Sequence, residues 1–322
     1  MGHITPLICL NNEFKNEYKI VYFGLKDSME EEVCKRNNIT FFPTKLYPFY
    51  TRNLLKNIKT FYYIFKEKNR IKKAFNEGEI KAIISSGGYA SIPVNLAFRK
   101  PKKLLLEPNT TLGLANQFLS YFVDKICVQF PTIKGNKISV TGSPISILKS
   151  DFDHPFFYQN KPLILFVGGS NGALEIVKIC NRFQAKYKDV NIILITGDRY
   201  YETYDFGPNL YKVKKINNLN GIFQKFDVIV SRAGASTITE ILLTNTASVL
   251  IPSPNVSKNH QFFNADYMKK LDLALVLDEN GTNIEDEIYH FLNDKNRISI
   301  IKNNINKHVI KDSVERIKKI VL

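Results

Sequence analysis

The sequence predicts an α/β protein built from two doubly wound parallel-sheet domains, and three observations predict it. Short apolar runs alternate with longer stretches of helical period along the whole 322-residue chain, β then α. Several runs, among them LILFVGG at 163–169 and NIILITG at 191–197, are apolar on both faces, as strands are when helices cover a parallel sheet from both sides. The rhythm breaks near 143–161, where SPISILKSDFDHPFFYQNKP carries three prolines and no clear period, so the linker belongs there.

In chain order, strands are expected at 19–24, 39–42, 82–86, 103–106, 125–130 and 138–142 in the first domain (1–146). The second domain opens after the break, at 147, with strands at 163–169, 191–197, 227–231, 247–251 and 274–277. Helical stretches lie between them at 26–37, 52–76, 90–99, 113–123, 172–187, 235–245, 259–271, 284–294 and 303–321. The opening Met-Gly-His-Ile-Thr-Pro runs straight into an apolar stretch that looks helical. An α/β domain usually begins with a strand, so this opening reads like the end of a glycine loop, with the first strand of the domain missing.

Composition narrows the function classes. With 44% apolar and 23% charged residues, wholesale disorder, collagen and coiled coil are excluded. Lys+Arg minus Asp+Glu is 45 − 30 = +15, which points to a polyanionic partner: nucleic acid, an anionic membrane surface or a phosphorylated substrate. Cys9, Cys34, Cys127 and Cys180 are scattered without CxxC or metal-like spacing and read as buried thiols of a reducing compartment. No apolar run approaches the ~18–20 residues that span a bilayer, and the N-terminus lacks a signal peptide's basic start. The expectation is a cytoplasmic protein that touches a membrane without crossing it.

The strongest local signal is LILFVGGSNGALEIV at 163–177, a strand running through Gly168-Gly169-Ser170-Asn171-Gly172 into a helix. Glycines admit a ligand close to the backbone, and a helix start offers free N–H groups and partial positive charge, both suited to a diphosphate. The spacing is not GxGxxG, which disfavours a plain dinucleotide fingerprint. DVIVSRAGASTITE at 227–240 repeats the strand–loop–helix pattern: Ala235, Ser236 and Thr237 open the helix, and Glu240 either accepts hydrogen bonds from vicinal hydroxyls such as a ribose's or merely complements the helix dipole. In PSPNVSKNHQFFNAD at 252–266, His260, Gln261 and Asn264 fall near one helix face and read either as sugar-hydroxyl contacts or as a polar first turn. In the first half, SSGGYASIPVNLAF (85–98) is another strand–glycine–helix junction, and Glu107 and Asn109 follow a strand. Ligands of α/β folds collect at the carboxyl ends of strands, so the repetition tells more than any single loop. Segment 45–75 interleaves nine basic residues with Tyr, Phe, Leu and Ile against one acid, Glu67. Such a segment lies on anionic lipid or packs its apolar side into the domain; nucleic-acid binding lacks any accompanying signature.

Taken in order, GHITP (2–6), GGYASIP (87–93), EPN–TTLGLAN (107–116), VTGSPI (140–145), GGSNGA (168–173), SRAGASTITE (231–240) and NHQFFNA (259–265) resemble glycosyltransferase family 28 nearly end to end. The resemblance implies the GT-B fold, two Rossmann-like domains facing across a cleft, with a last helix (303–322) crossing back to the first domain. It implies inverting, metal-independent transfer of N-acetylglucosamine from UDP-N-acetylglucosamine, a co-substrate rather than a cofactor, to undecaprenyl-linked lipid I on the cytoplasmic side of the cell membrane. By motif position, Gly169, Ser170 and Asn171 would meet the diphosphate, Ala235 and Ser236 the phosphates, Glu240 the ribose, the backbone at Ile216 the uracil, and Gln261 the sugar. Gly2, His3 and Asn109 would hold the acceptor, with His3 either the base that takes the proton of the acceptor's 4-hydroxyl or a contact to its diphosphate. The chain departs from the family pattern at Leu106, where a His is usual, and at Ser146, where an Arg is common. A glycolipid-forming relative, with an acceptor such as diacylglycerol, and a catalytically impaired nucleotide-sugar-binding homologue are the alternatives.

Overall fold

A computed structural model describes residues 4–48, 56–169, 172–203, 207–254 and 259–322. Residues 1–145 together with 312–322 make one unit, and residues 146–311 a second.

The first unit opens with a helix, α1 (Ile4–Phe14). Strands β1 (Val21–Leu25) and β2 (Thr40–Thr44) pair in parallel with each other. The strands β3 (Ala82–Ser85), β4 (Lys102–Glu107), β5 (Lys125–Val128) and β6 (Ile138–Val140) form a separate four-stranded parallel sheet in that order. The single wound sheet expected from the sequence is therefore, among the described residues, two sheets that pack together without a shared hydrogen-bond ladder. Phe23 of β1 and Phe42 of β2 lie on the same cluster as Ile83 of β3, with Ile71, Val94 and Phe98. The helix α11 (Ser313–Val321) closes this unit: Ile317 packs with Leu10 and Phe14 of α1 on Leu104, Leu106 and Cys127. The returning segment, 312–322, is shorter than the 303–322 that the family resemblance implies. Residues 295–308 form a separate helix of the second unit, α10 (Lys295–His308), whose Ile298, Ile301 and Ile305 are buried.

The second unit is one parallel sheet of six strands, in the order β12-β11-β10-β7-β8-β9. Its centre is fully buried: β7 (Leu163–Val167), β8 (Asn191–Ile195), β10 (Val228–Ser231) and β11 (Ser248–Leu250) show no exposed position, which is why they read as continuous apolar runs. Edge strand β9 (Leu210–Val213) escaped the sequence reading, because LYKV has one covered face and Tyr211 is exposed. The other edge, β12 (Leu275–Val276), is two residues long. The chain leaves β7 for β8 and β9 on one side, then returns to β10, β11 and β12 on the other. That reversal opens a crevice between the carboxyl ends of β7 and β10, because the two connections leave in opposite directions.

Candidate functional site

At this switch point, β7 runs into Gly168 and Gly169, and β10 runs into Arg232, Ala233 and Gly234. The loops bound an open crevice of about 390 Å³ lined by Gly168, Gly169, Gly172, Ala173, Arg232, Gly234, Thr237, Ser253 and Gln261. Gly172 has φ of +72°, and a Cβ there would lie 2.1 Å from the carbonyl oxygen of Thr196, so the loop passes the end of β8 only as glycine.

Three helices start at the crevice: α6 (Leu174–Lys186) after Ala173, α7 (Ala235–Thr244) after Gly234, and α8 (His260–Lys270) after Asn259. At none of them does the N-cap side chain accept an N–H of the first turn, although helix starts usually recruit a Ser, Thr, Asp or Asn oxygen there. Ala235 and Ser236 thus head α7 with backbone donors directed out of the helix end, a partial positive charge suited to a diphosphate.

The loops are held from behind. The Arg232 side chain is 11% exposed; its Nη1 donates to the carbonyl of Ile251, which follows β11, at 3.1 Å and to Glu279 Oε2, which follows β12, at 2.6 Å. One guanidinium therefore ties together the loops after three adjacent strands. The fully buried Asn264 donates from Nδ2 to the carbonyl of Ala233 at 3.2 Å, so it shapes this loop from behind instead of sharing a sugar-reading face with His260. Gln261 lines the crevice, and its Oε1 accepts from the Ser253 N–H at 2.9 Å.

Glu240 lies farther along α7, half-buried, and accepts from Asn220 Nδ2 at 3.2 Å. Burial pushes its carboxyl up to about 7, and the Asn220 hydrogen bond opposes that only in part. Asn220 belongs to a 3₁₀ turn at Leu219–Lys225 that packs on α7; Ile216, just before it, is buried. The structure thus brings Gly169, Ala235, Ser236 and Gln261 to the crevice and its helix ends, while Glu240 and Ile216 are not among the residues that line it. Ser170 and Asn171 lie outside the described residues, as do Gly2 and His3.

In the first unit, Glu107 at the end of β4 is buried and accepts four hydrogen bonds: from Asn109 N and Nδ2 at 3.0 Å each, Gly113 N at 3.0 Å and Asn116 Nδ2 at 2.7 Å. The carboxylate builds the loop 108–113, and Asn109 turns its amide nitrogen onto it. Leu106 sits in the apolar cluster beneath α1, which explains an aliphatic side chain there. The helix α3 (Lys56–Ala74) buries Thr60, Ile64, Glu67 and Ile71 and exposes Ile58, Phe61, Tyr62 and Phe65 on the opposite side. Lys59, Lys66, Lys72 and Lys73 are exposed beside that apolar face. Arg52 and its neighbours in the basic segment lie outside the described residues.

Local sequence patterns assign no role to Arg232 or to Asn220. The partners that reveal them, Glu279 and Glu240, are 47 and 20 residues away, a separation no local pattern spans.

Two family descriptions match the chain: the glycosyltransferase family 28 N-terminal domain over residues 1–128 and the glycosyltransferase family 28 C-terminal domain over 163–317. The UDP-N-acetylglucosamine–N-acetylmuramyl-(pentapeptide) pyrophosphoryl-undecaprenol N-acetylglucosamine transferase of Thermoanaerobacter sp. (strain X514) is 31% identical, covering 99% of this chain and 96% of that protein. The protein of that name from Bacillus licheniformis is 30% identical over 98% of this chain and 94% of its own length. Among solved structures, Acinetobacter baumannii MurG matches with a TM-score of 0.78 at 20% identity, covering 99% of this chain and 96% of that one.

Glu279→Gln leaves the Arg232 guanidinium buried without its counter-charge. It is expected to cost about 3–5 kcal/mol of stability, measured as the urea midpoint of the second unit; a loss under about 1 kcal/mol, the worth of an exposed pair, would contradict the staple.

Proposed function

The chain belongs to glycosyltransferase family 28, and from that premise we propose that it transfers N-acetylglucosamine from UDP-N-acetylglucosamine to N-acetylmuramyl-(pentapeptide) pyrophosphoryl-undecaprenol, lipid I, giving lipid II for peptidoglycan. The observation that carries this reading is the uncapped start of α7 facing the Gly168–Gly169 loop across the crevice. In the proposed complex the diphosphate lies between them, held by backbone N–H groups of Gly169, Ser170 and Asn171 and of Ala235 and Ser236. Glu240 accepts from the ribose hydroxyls, the backbone at Ile216 meets the uracil, and Gln261 contacts the sugar.

The reaction forms a bond from the acceptor's 4-oxygen to the anomeric carbon and breaks the bond from that carbon to the β-phosphate, with inversion. Charge grows on the departing UDP, where fixed N–H donors and a helix dipole are already aligned and need no reorganisation. The hydroxyl proton passes to a base, for which His3 is the candidate; its other candidate role is binding the acceptor diphosphate. Asn109, turned onto Glu107, fixes the backbone of the acceptor loop.

The acceptor carries a lipid, and α3 offers a surface for it. Ile58, Phe61, Tyr62 and Phe65 face outward at helical spacing between exposed lysines, and each basic group near anionic lipid contributes about 1 kcal/mol. No described helix is long and apolar enough to cross a membrane. Peripheral attachment at the cytoplasmic face follows from this reading.

Incubation of the protein with radiolabelled UDP-N-acetylglucosamine and lipid I is expected to yield labelled lipid II; UDP binding without transfer would contradict the enzymatic reading. Replacing Lys66, Lys68, Lys72 and Lys73 by Gln should lower binding to phosphatidylglycerol vesicles by more than about tenfold, and unchanged sedimentation would refute the docking face. The ribose accepts best from an ionised Glu240, whose free carboxyl titrates at about 7. UDP-N-acetylglucosamine affinity should therefore rise about tenfold from pH 6 to pH 8, while Glu240→Gln binds weakly with a flat profile. Parallel profiles in calorimetry would remove the ribose assignment.

A further inference from the structure

The segment that carries the candidate nucleoside contacts also grips the linker at the start of the second unit. Asn220 Nδ2 donates to the carbonyl of Ser146 at 3.1 Å, and the Leu148 N–H donates to Asn220 Oδ1 at 3.4 Å. Asn218 Nδ2 donates to the carbonyl of Lys149 at 2.9 Å, and Ser150 Oγ donates to the carbonyl of Asn217 at 2.8 Å. The backbones are pressed together: a Cβ on Gly221 would stand 2.0 Å from the Leu148 carbonyl oxygen, so any side chain there would lift the linker away. The Asn220 nitrogen that holds Ser146 also holds Glu240 Oε1, at 3.2 Å. A primary amide has two N–H donors, and here one goes to the linker and the other to the candidate ribose carboxylate.

We propose that Asn220 is a positioning residue through which a nucleoside diphosphate bound at Glu240 orders the linker 146–150. The inference rests on the ribose assignment above and extends it to the chain segment that joins the units. A ligand changes a distant segment only through contacts that differ between the free and bound states. Here the differing contact is the Asn220–Glu240 hydrogen bond. Ribose hydroxyls that donate to Glu240 favour its ionised form, and the amide then donates to a charge, in a bond roughly twice as strong as the neutral one. A firmly held amide fixes its other two hydrogen bonds, to Ser146 and Leu148. Ile216, immediately before this segment, brings the uracil end of the ligand against the same loop.

Hydrogen exchange on the full chain tests the coupling, with UDP as the probe. In the unmodified protein, saturating UDP should slow exchange across 146–150 about threefold or more, by suppressing local opening. Asn220→Ala should weaken UDP binding no more than about fivefold, the difference between the charged and the neutral Asn220–Glu240 bond, and at saturating UDP should leave 146–150 unprotected while the Gly168–Gly169 loop remains protected. Asn220→Leu fills the same space with neither the amide donors nor a second carboxylate beside Glu240 and should behave alike, which separates the missing hydrogen bonds from a cavity. UDP binding that leaves exchange at 146–150 unchanged in the unmodified protein would overturn the coupling, as would variants that bind UDP and respond like the parent. Failure of the unmodified protein to bind UDP would instead overturn the functional reading beneath it.

Discussion

The helix starts that lack a side-chain cap where β7 and β10 diverge are the feature on which the remainder of the second unit depends. A helix start without a side-chain cap forgoes about 1 kcal/mol where the N-cap is Ala, as Ala173 is at α6, and a few tenths where it is Gly, as Gly234 is at α7. The surrounding polar contacts keep these ends open and in register: Arg232 spans the loops after β10, β11 and β12, Asn264 holds Ala233, and Gln261 holds Ser253. Each is directed at loop backbone or at a loop carboxylate.

Three carboxylates show how the number of donors decides a role. Glu107 accepts four hydrogen bonds and is wholly committed to the loop it organises. Glu279 is neutralised by Arg232 in a nearly enclosed pair and acts as a staple. Glu240, among the described residues, accepts one hydrogen bond, from Asn220, and burial keeps its carboxyl near neutrality. A desolvated acid with unfilled acceptor capacity gains most from a partner that supplies hydroxyl donors, which is what a ribose does.

The strand–glycine–helix junctions were legible because they are local: an apolar run, a glycine pair and a helical period fall within fifteen residues or so of one another. Gly169, Ala235 and Gln261 could be named from such windows. The edge strand β9 was not legible, because a strand covered on one face lacks the continuous apolar run that marks β7 or β8. The 303–321 stretch reads as one helix because Ile305, Val309, Val314, Ile317 and Val321 recur three to five positions apart, whereas the chain breaks between His308 and Ser313 and sends its two parts to different units. The division of the first unit into two sheets depends on which strand edges pair, information that no single strand carries. The Arg232–Glu279 and Asn220–Glu240 contacts depend on the order of strands and loops in the finished fold.

A structure of the protein with UDP bound addresses the central claim most directly. The account predicts the diphosphate between the Gly168–Gly169 loop and the first turn of α7, with both ribose hydroxyls on Glu240 and the uracil against Ile216. A nucleotide seated anywhere else, or a diphosphate held by side chains with those backbone donors left facing solvent, would contradict it.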